Sequence, residues 1–462
     1  MRSEVRRHGA AAIIGRSLSL TTNVAMTLVL AQTLEPRSFG EFAVFRTTVT
    51  FLGLVISCGL GTVALRLLSG LGKNTEFAWV QAREICYRIT VLAAMASTFL
   101  CVAIFLASPF AAPFLFKLSG TMMLALAVVI ASLGIGWLQI ITDAARGLNQ
   151  PGLAAWYGGV RGTPLASVFL LAVVLAEPEW TADDWLKVGL VYGAGLILSA
   201  LLALFALVKI LRYMQRQDSQ LGESSVRSTD ASLRSLSSMA FPLAVAGAMM
   251  YLTTGGDLFL TAWFPCETDR YSYIAARRWT LLVSMPLAAL NITAGGLIAG
   301  ASSSTQKQSL QSFLRAGTTA IGIPALVVSA IAFFAPTLSL HLLFGGGYEA
   351  SASVLPILVI GQVFIVATGP CGLVLSLTGH ERVTLWSAAI GFAALALIGP
   401  WTALNFGAAG LAWLVTSLAA AISVATWIQC WRLTGLNTLL EPALALKPNE
   451  LLARLHLSRT ST

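Results

Sequence analysis

The chain has 462 residues and a net charge of +9; 56% of its residues are hydrophobic and only 11% are charged, whereas soluble proteins carry roughly 25% charged residues. This composition excludes an ordinary soluble protein and indicates a polytopic membrane protein, because each membrane span requires about 20 mostly apolar residues. The longest hydrophilic stretch, residues 212–238, is shorter than the roughly 50 residues of a small independent domain. A soluble catalytic or nucleic-acid-binding domain is therefore also excluded.

Twelve apolar runs are bounded by charged or turn residues, and we predict a membrane span at each. Their approximate ranges are 11–34, 40–65, 85–107, 119–142, 153–176, 187–210, 239–263, 272–299, 314–335, 352–377, 383–404 and 407–429. An even number of spans puts both termini on one side of the membrane. That side holds 20 of the 29 lysines and arginines, and the other holds only Arg37, Lys117, Lys187 and Arg270. Because basic residues collect in the cytoplasm, we expect both termini to be cytoplasmic.

The first span follows a basic segment, MRSEVRRHG. We expect no cleaved signal peptide, because Arg16 interrupts the apolar run and no AxA-like site follows it. Arg16, Ser19, Asn23 and Thr27 recur at intervals of three or four residues and form one polar stripe on a helix. Such a stripe faces protein or water, although Arg16 is also close enough to the cytoplasmic end to snorkel to the interface.

The second and fifth spans also carry arginines. Arg46, Thr50, Gly53 and Ser57 form a second stripe with helical spacing, and Arg46 lies about 9 Å from the outer boundary, a depth that snorkelling also reaches. Arg161 lies about 12 Å from the inner boundary, where snorkelling is a weaker explanation. An arginine at the centre of a span costs about 2.5–3.5 kcal/mol. Residues this costly indicate a function.

A cluster of acidic residues follows the fifth span: Glu177, Glu179, Asp183 and Asp184. No basic or aromatic cleft surrounds these residues in the sequence. We therefore interpret the cluster as the solvated face of a loop, not as an acid/base pair.

The polar linker at 211–238 divides the chain into two groups of six spans. We predict an N-terminal six-helix bundle at 1–210, a second six-helix bundle at 239–429 and a cytoplasmic tail at 430–462. A weak internal repeat supports two pseudo-symmetric halves: SFGEFAVFRTTVTFL at the second span is echoed by TDRYSYIAARRWTLL at the eighth.

The second half carries both charge signs within its spans. Thr253, Thr254 and Asp257 lie toward the outer end of the seventh span, and Arg277 and Arg278 lie in the eighth. Adjacent residues of a helix point about 100° apart, so the two arginines cannot both face lipid. Asp257 either pairs with one of the arginines or serves as a proton or sodium site.

Cationic stripes in both halves predict a positively charged cavity near mid-membrane. Its candidate lining residues are Arg16, Asn23, Arg46, Arg161, Arg277 and Arg278. The alternative is a set of interhelical hydrogen bonds that only holds the bundle together.

Six prolines within the spans predict kinked helices of the kind that rock between inward- and outward-open states: Pro164, Pro242, Pro286, Pro324, Pro356 and Pro370.

Several kinds of chemistry have no motif in this sequence. No GxxxxGK[ST] segment is present, so transport must be driven by a gradient or a partner, not by bound ATP. The six cysteines and four histidines are scattered, so we predict no disulfide framework, no metal site and no cofactor. The outer loops are short, which disfavours a membrane-bound glycosyltransferase or polymerase.

Several segments, taken in order, resemble the oligosaccharide flippases of the multidrug/oligosaccharidyl-lipid/polysaccharide exporter (MOP) superfamily: SFGEFAVF, GLGTVALRLLS, ARGLNQPG, RYSYIAARRWTLL, FGGGYEASASVLPIL, SLTGHERV and NFGAAGLAW. The resemblance extends over residues 11–429. It implies two bundles of six helices, alternating access, and movement of a polyprenyl-pyrophosphate-linked oligosaccharide to the outer leaflet of a bacterial inner membrane. The sequence departs from the lipid II flippases, which have fourteen spans, and from the drug-exporting branch, which usually has acidic residues in its N-terminal half.

We therefore expect an all-α polytopic membrane protein that is not an enzyme. The main hypothesis is a flippase for lipid-linked glycans in surface polysaccharide assembly, acting with a polysaccharide polymerase or export complex and with no nucleic-acid partner. One alternative is a cation-coupled exporter of drugs or metabolites from the same superfamily. A membrane-bound polysaccharide polymerase or glycosyltransferase is the other.

Overall fold

The computed structural model describes residues 2–71, 78–116, 121–148, 150–157, 164–176, 184–218, 233–300, 304–445, 447, 449–450 and 454. All regular secondary structure in these residues is helical. Seven of the described helices are long and apolar enough to cross a membrane, or eight if one bent pair counts as a single span. The chain forms two compact units, Met1–Tyr251 and Leu252–Thr462. The predicted all-α polytopic architecture is thus confirmed.

The N-terminal unit consists of nine described helices, and the fifth lies at its centre. Its helices are α1 (Arg2–Thr33), α2 (Pro36–Ser57), α3 (Leu60–Leu71), α4 (Ala78–Phe116), α5 (Thr121–Gly147), α6 (Pro151–Tyr157), α7 (Pro164–Ala176), α8 (Trp185–Asp218) and most of α9 (Leu233–Gly255). Helix α5 packs against α2, α3, α4 and α8. Glycines permit these close approaches: a Cβ atom at Gly53 would lie 2.6 Å from Ile135, and one at Gly134 would lie 2.7 Å from Leu196.

The C-terminal unit has more short elements. They are α10 (Asp257–Leu260), a 3₁₀ turn (Thr261–Trp263), α11 (Glu267–Gly300), α12 (Ser304–Phe334), α13 (Pro336–Phe344), a second 3₁₀ turn (Glu349–Ser353), α14 (Leu355–Thr368), α15 (Cys371–Leu377), α16 (Glu381–Thr434) and α17 (Pro442–Ala445). Buried residues of α11, α12, α15 and α16 form a hydrophobic cluster that also includes Leu436, beyond the end of α16. The unit boundary falls within α9, and the assignment of 211–238 as a cytoplasmic linker stays a prediction.

The structure breaks helices that the hydropathy pattern predicts as continuous. The predicted span 40–65 is interrupted where Cys58 adopts left-handed backbone angles (φ 42°) and Gly59 follows with φ 69°. The predicted span 352–377 bends by 46° between α14 and α15. The predicted spans 383–404 and 407–429 correspond to the two helical parts of α16, which meet at a kink where Gly407 has non-helical backbone angles (φ 56°). Apolar composition does not detect a break of one or two residues, so the spans 40–65 and 352–377 were wrongly predicted to be continuous.

The prolines divide into two groups. Pro242, Pro286 and Pro324 lie inside α9, α11 and α12, as predicted for kink positions. The other three instead precede or begin helices, where the fixed φ of proline is compatible with the first turn: Pro164 opens α7, Pro356 lies in the first turn of α14 and Pro370 precedes α15. For Pro164 and Pro356 the predicted helix-interior position is wrong, whereas Pro370 lies at the 46° bend within the predicted span 352–377, as expected for a kink.

The acidic cluster after the fifth predicted span is described only at Asp184, because the other three residues lie outside the described part of the chain. Asp184 Oδ1 accepts hydrogen bonds from the backbone N–H groups of Leu186 and Lys187, at 3.1 and 3.3 Å. Its carboxylate therefore caps the start of α8.

Candidate functional site

Arg46 is held at one place in the N-terminal unit by two neighbouring helices. Its Nη2 donates a hydrogen bond of 2.7 Å to Oδ1 of the buried Asn23 on α1. Its guanidinium carbon lies 6.0 Å from the ring centroid of Tyr192 on α8. Asn23 and Arg46 lie on the two polar stripes predicted from the sequence, so these stripes meet at this pair.

The half-buried Arg46 has no counter-ion within the described residues. No carboxylate of these ranges lies within ion-pair distance of it; its partners are a neutral amide and an aromatic ring. A cation in a membrane-embedded helix is costly without compensation. The guanidinium is therefore positioned and charged, which are the two properties that recognition of an anion requires.

The C-terminal unit holds a different arrangement around Asp257. Arg277 Nε lies 2.7 Å from Asp257 Oδ2, and the Tyr273 hydroxyl donates a 2.7 Å hydrogen bond to the same oxygen. Arg277 Nη2 also donates to the backbone carbonyl of Thr254, at 2.7 Å. The carboxylate, the phenol and the guanidinium are all buried. Of the two interpretations of Asp257, the geometry thus matches an ion pair, and the charge of Arg277 is compensated.

The remaining predicted site residues are Arg278, Arg16 and Arg161. Arg278 is half-buried on α11. Arg16 lies on α1, but its side chain is outside the described part, and Arg161 is outside it altogether. Asn23 and Arg46 come together in one unit, and Asp257 and Arg277 come together in the other. A single cavity lined by all the arginines stays a prediction.

Sequence reasoning missed Asp143, a buried acid in the N-terminal unit with 4% exposure. Its Oδ2 accepts a 2.6 Å hydrogen bond from Gln139 Nε2, and its Oδ1 pairs with Arg146 Nη1 at 2.8 Å. The prediction ended the fourth span at residue 142, which placed Asp143 in a loop. The helical spacing of Gln139, Asp143 and Arg146 was the signal that would have extended the span by one turn.

Asp143 faces a small, partly open recess of about 80 Å³ that lies beside the helix break at Cys58 and Gly59. Ser57, Gly59 and Thr62 line one side, and Gly247 of α9 lies on the other. The carboxylate packs against Gly61, where a Cβ atom would lie 2.5 Å from Asp143 Oδ2. The N-terminal unit thus also contains a buried carboxylate at the edge of an accessible polar space.

Arg270 also differs from its prediction. The sequence placed it in an outer loop, but α11 begins at Glu267, and the Arg270 side chain is buried, with 1% exposure. Its guanidinium carbon lies 6.0 Å from the ring centroid of Tyr271. The span boundary at residue 272 was set about one turn too late.

Within the described ranges, no group of three His, Cys, Asp or Glu side chains is arranged to hold a metal ion.

No family model and no curated protein matches the chain. Solved structures do match it over nearly its whole length. The lipid II flippase MurJ, in an inward closed conformation, is similar with a TM-score of 0.66 at 12% identity, over 98% of this chain and 93% of that one. A multidrug resistance MATE family transporter in an inward-facing conformation has a TM-score of 0.58 at 12% identity, over 91% and 95% of the two chains.

A third match is a MOP superfamily transporter from Pyrococcus furiosus, with a TM-score of 0.60 at 13% identity, over 94% of this chain and 96% of that one. That protein is described as having a binding pocket of reverse polarity that suggests a different function. The matched proteins are transporters and flippases, not enzymes, and at these identities the likeness shows the fold. The chain therefore has the fold of the MOP superfamily transporters.

Proposed function

We propose that the protein is a secondary flippase that moves a polyprenyl-pyrophosphate-linked oligosaccharide across the bacterial inner membrane for surface polysaccharide assembly. The observation that carries this proposal is Arg46, a half-buried guanidinium without a carboxylate partner among the described residues. A pyrophosphate linkage brings about two negative charges into the membrane, and desolvating them requires a cation that is already in place.

Recognition depends on the geometry of Arg46 as well as on its charge. The hydrogen bond from Nη2 to Asn23 occupies one edge of the guanidinium and fixes its plane. The remaining N–H groups can then donate in parallel to two phosphate oxygens, which an ammonium group cannot do. Arg278, Arg16 and Arg161 are the further candidates for phosphate contacts. Arg277 contributes less, because Asp257 already compensates its charge.

The fold is compatible with a lipid-linked substrate, because a lipid II flippase matches 98% of this chain and a multidrug MATE transporter matches 91%. The choice between these substrates rests on the charged residues. The sequence contains no ATP-binding motif, so the driving force is a gradient or the removal of product by a partner. A polysaccharide polymerase or export complex that consumes the flipped oligosaccharide would supply such removal. These partners are part of the proposal.

A second candidate function is a cation-coupled exporter of drugs or metabolites, and Asp143 is the observation that favours it. This buried carboxylate lies at the edge of the recess beside the Cys58–Gly59 break. A proton or sodium ion that binds there would couple a gradient to movement of the broken helix. In that case Asp143→Asn would stop transport, and Arg46→Ala would have little effect.

The test is complementation of a deletion strain with Arg46→Ala and Arg46→Lys. The control is Arg37→Ala, an exposed arginine on the same helix. We expect Arg46→Ala to express normally but to lose surface polysaccharide and to accumulate lipid-linked oligosaccharide on the cytoplasmic leaflet. Lys should restore only part of the export, because it keeps the charge but loses the planar fork. Arg37→Ala should behave like the wild type.

Full export by Arg46→Ala would remove the anion-binding mechanism. Loss of export in Asp143→Asn alone, together with efflux of a cationic dye by the wild type, would favour the exporter. Accumulation of single oligosaccharide units on the outer leaflet of the deletion strain would favour a polymerase, because flipping would then proceed without the protein.

A further inference from the structure

The segment that follows α16, residues 435–441, has no regular secondary structure and packs onto the C-terminal unit, and we call it the strap. It begins at Gly435, whose positive φ of 73° ends the helix. Leu436 and Thr438 are buried, with 4% and 0% exposure. Asn437 accepts a 3.1 Å hydrogen bond from the indole of Trp427. The strap is therefore packed onto the unit.

The strap supplies hydrogen bonds at the break between α14 and α15. In a continuous helix the carbonyls of Ala367 and Thr368 would accept from backbone N–H groups four residues further on. The bend at Gly369, with φ 70°, prevents this. Instead the N–H of Leu440 donates to the Ala367 carbonyl at 2.9 Å, and the Thr438 hydroxyl donates to the Thr368 carbonyl at 2.7 Å. The strap thus satisfies carbonyls that the bent form leaves without a helical partner.

The strap also connects this break to α12 through Glu441. The backbone N–H of Glu441 donates to the Thr319 hydroxyl at 3.0 Å, and its carboxylate pairs with Arg315 at 3.4 Å. Arg454, further along the chain, pairs with the same carboxylate at 3.3 Å and with Glu450 at 2.6 Å. The hydrogen bond from Arg454 lowers the pKa of Glu450. Four charged side chains therefore hold the end of the strap.

We propose that the strap is a latch that controls the bend between α14 and α15. With the strap in place, the two helices stay bent by 46°. When it leaves, the carbonyls of Ala367 and Thr368 pair with the N–H groups of Cys371 and Gly372, and the bend decreases to the shallower kink that Pro370 imposes on a continuous helix. Two arrangements that compete for the same carbonyls form a two-state element. We call the ion pairs of Glu441 with Arg315 and Arg454 the clamp. These side chains are partly exposed, and exposed ion pairs are weak enough to break, which would let the strap dissociate from the unit.

Two natural cysteines report on this release. Cys371, the first residue of α15, and Cys430, near the end of α16, are buried in one cluster with Leu436. The thiol of Cys430 lies 3.7 Å from the Leu436 carbonyl oxygen. When the strap leaves, both thiols become accessible. Alkylation of the purified protein by N-ethylmaleimide, followed peptide by peptide with mass spectrometry, measures the rate of opening without any transported substrate.

The variant Glu441→Gln removes the shared charge of the clamp. We expect alkylation of Cys371 and Cys430 to be slow in the wild type and about fivefold faster in this variant, which corresponds to about 1 kcal/mol. Glu381→Gln is the matched control, because Glu381 is exposed and forms no ion pair with another described residue. Thr438→Val should also accelerate alkylation, whereas Thr438→Ser, which keeps the hydroxyl donor, should not.

Two internal controls distinguish a latch from general loosening. Cys266 is exposed and reports reagent quality, and Cys58 lies in the other compact unit. Unchanged rates at Cys371 and Cys430 in both Glu441→Gln and Thr438→Val would overturn the latch. An equal acceleration at Cys58 would overturn it as well, because the opening would then not be local. Complete protection of both thiols in the wild type over many hours would also overturn the latch, because the strap would then be a permanently packed structural element.

Discussion

At the scale of single residues, two arginines in spans predicted from the sequence have opposite environments. Arg46 meets the amide of Asn23, 23 residues away along the chain, and Arg277 meets the carboxylate of Asp257, 20 residues away. Their positions within predicted spans identified both arginines as energetically costly, and helical spacing placed Asn23 on a polar stripe. The sequence did not predict which arginine pairs with Asp257, and it predicted no partner for Arg46, because contacts between different helices depend on how the helices pack. Asp143 was missed because the predicted span ended at residue 142, whereas α5 continues to Gly147.

The Asp257–Arg277 pair makes a prediction about stability. Asp257→Asn should lower the stability of the purified protein by about 3–5 kcal/mol, because it leaves a buried guanidinium without its counter-ion. The double variant Asp257→Leu with Arg277→Met should recover most of this loss, since replacing both partners with apolar side chains removes the unpaired charge. Thermal unfolding in detergent measures both. An Asp257→Asn protein of normal stability that has lost transport would instead support a coupling role for Asp257.

At the scale of helices, the apolar runs predicted most elements, and local backbone chemistry decided where they break. Gly59 and Gly407 adopt positive φ values of 69° and 56°, and Cys58 does so without being a glycine. Hydropathy averages over a span and did not register the break at Cys58 and Gly59, whereas the boundary predicted at 404–407 lies at Gly407. The prolines were a partial guide: Pro370 marks a real bend between α14 and α15, but Pro164 opens a helix.

The break between α2 and α3 makes a prediction of its own. Gly59→Ala should destabilise the protein by more than about 2 kcal/mol, since alanine disfavours positive φ and its Cβ would lie 2.5 Å from the Ala240 carbonyl oxygen. The matched control is Gly247→Ala, because a Cβ atom at Gly247 meets nothing within 4 Å. Expression level and melting temperature are the measurements. Equal melting temperatures for the two variants would contradict this account of the break.

At the scale of the whole molecule, composition and the number of apolar runs predicted the fold class. The fold itself is shared at only 12–13% identity with solved transporters, so it depends on the order and packing of apolar helices more than on particular residues. For the same reason the fold does not specify the substrate. The substrate has to be argued from charged residues such as Arg46 and Asp143, whose environments the sequence alone did not reveal.

The predicted orientation is testable at two exposed positions in a cysteine-free background. Ala350 follows α13 on the side predicted to be outer, and Ser237 lies near the start of α9 on the side predicted to be cytoplasmic. In intact cells an impermeant thiol reagent should label Ala350→Cys but not Ser237→Cys, because the basic residues put both termini inside. Lysed cells, in which both sites should react, provide the control. Labelling of Ser237→Cys in intact cells would reverse the topology.

The most direct test of the central claim uses proteoliposomes that contain the purified protein and a fluorescent polyprenyl-pyrophosphate-linked oligosaccharide. Wild-type protein should move the lipid between leaflets, and Arg46→Ala should move it at least about tenfold more slowly, as expected for the loss of a charge-assisted bidentate contact. Asp143→Asn should retain movement. If the wild type moves no lipid but exports a cationic dye, and Asp143→Asn abolishes that export, the flippase account is contradicted.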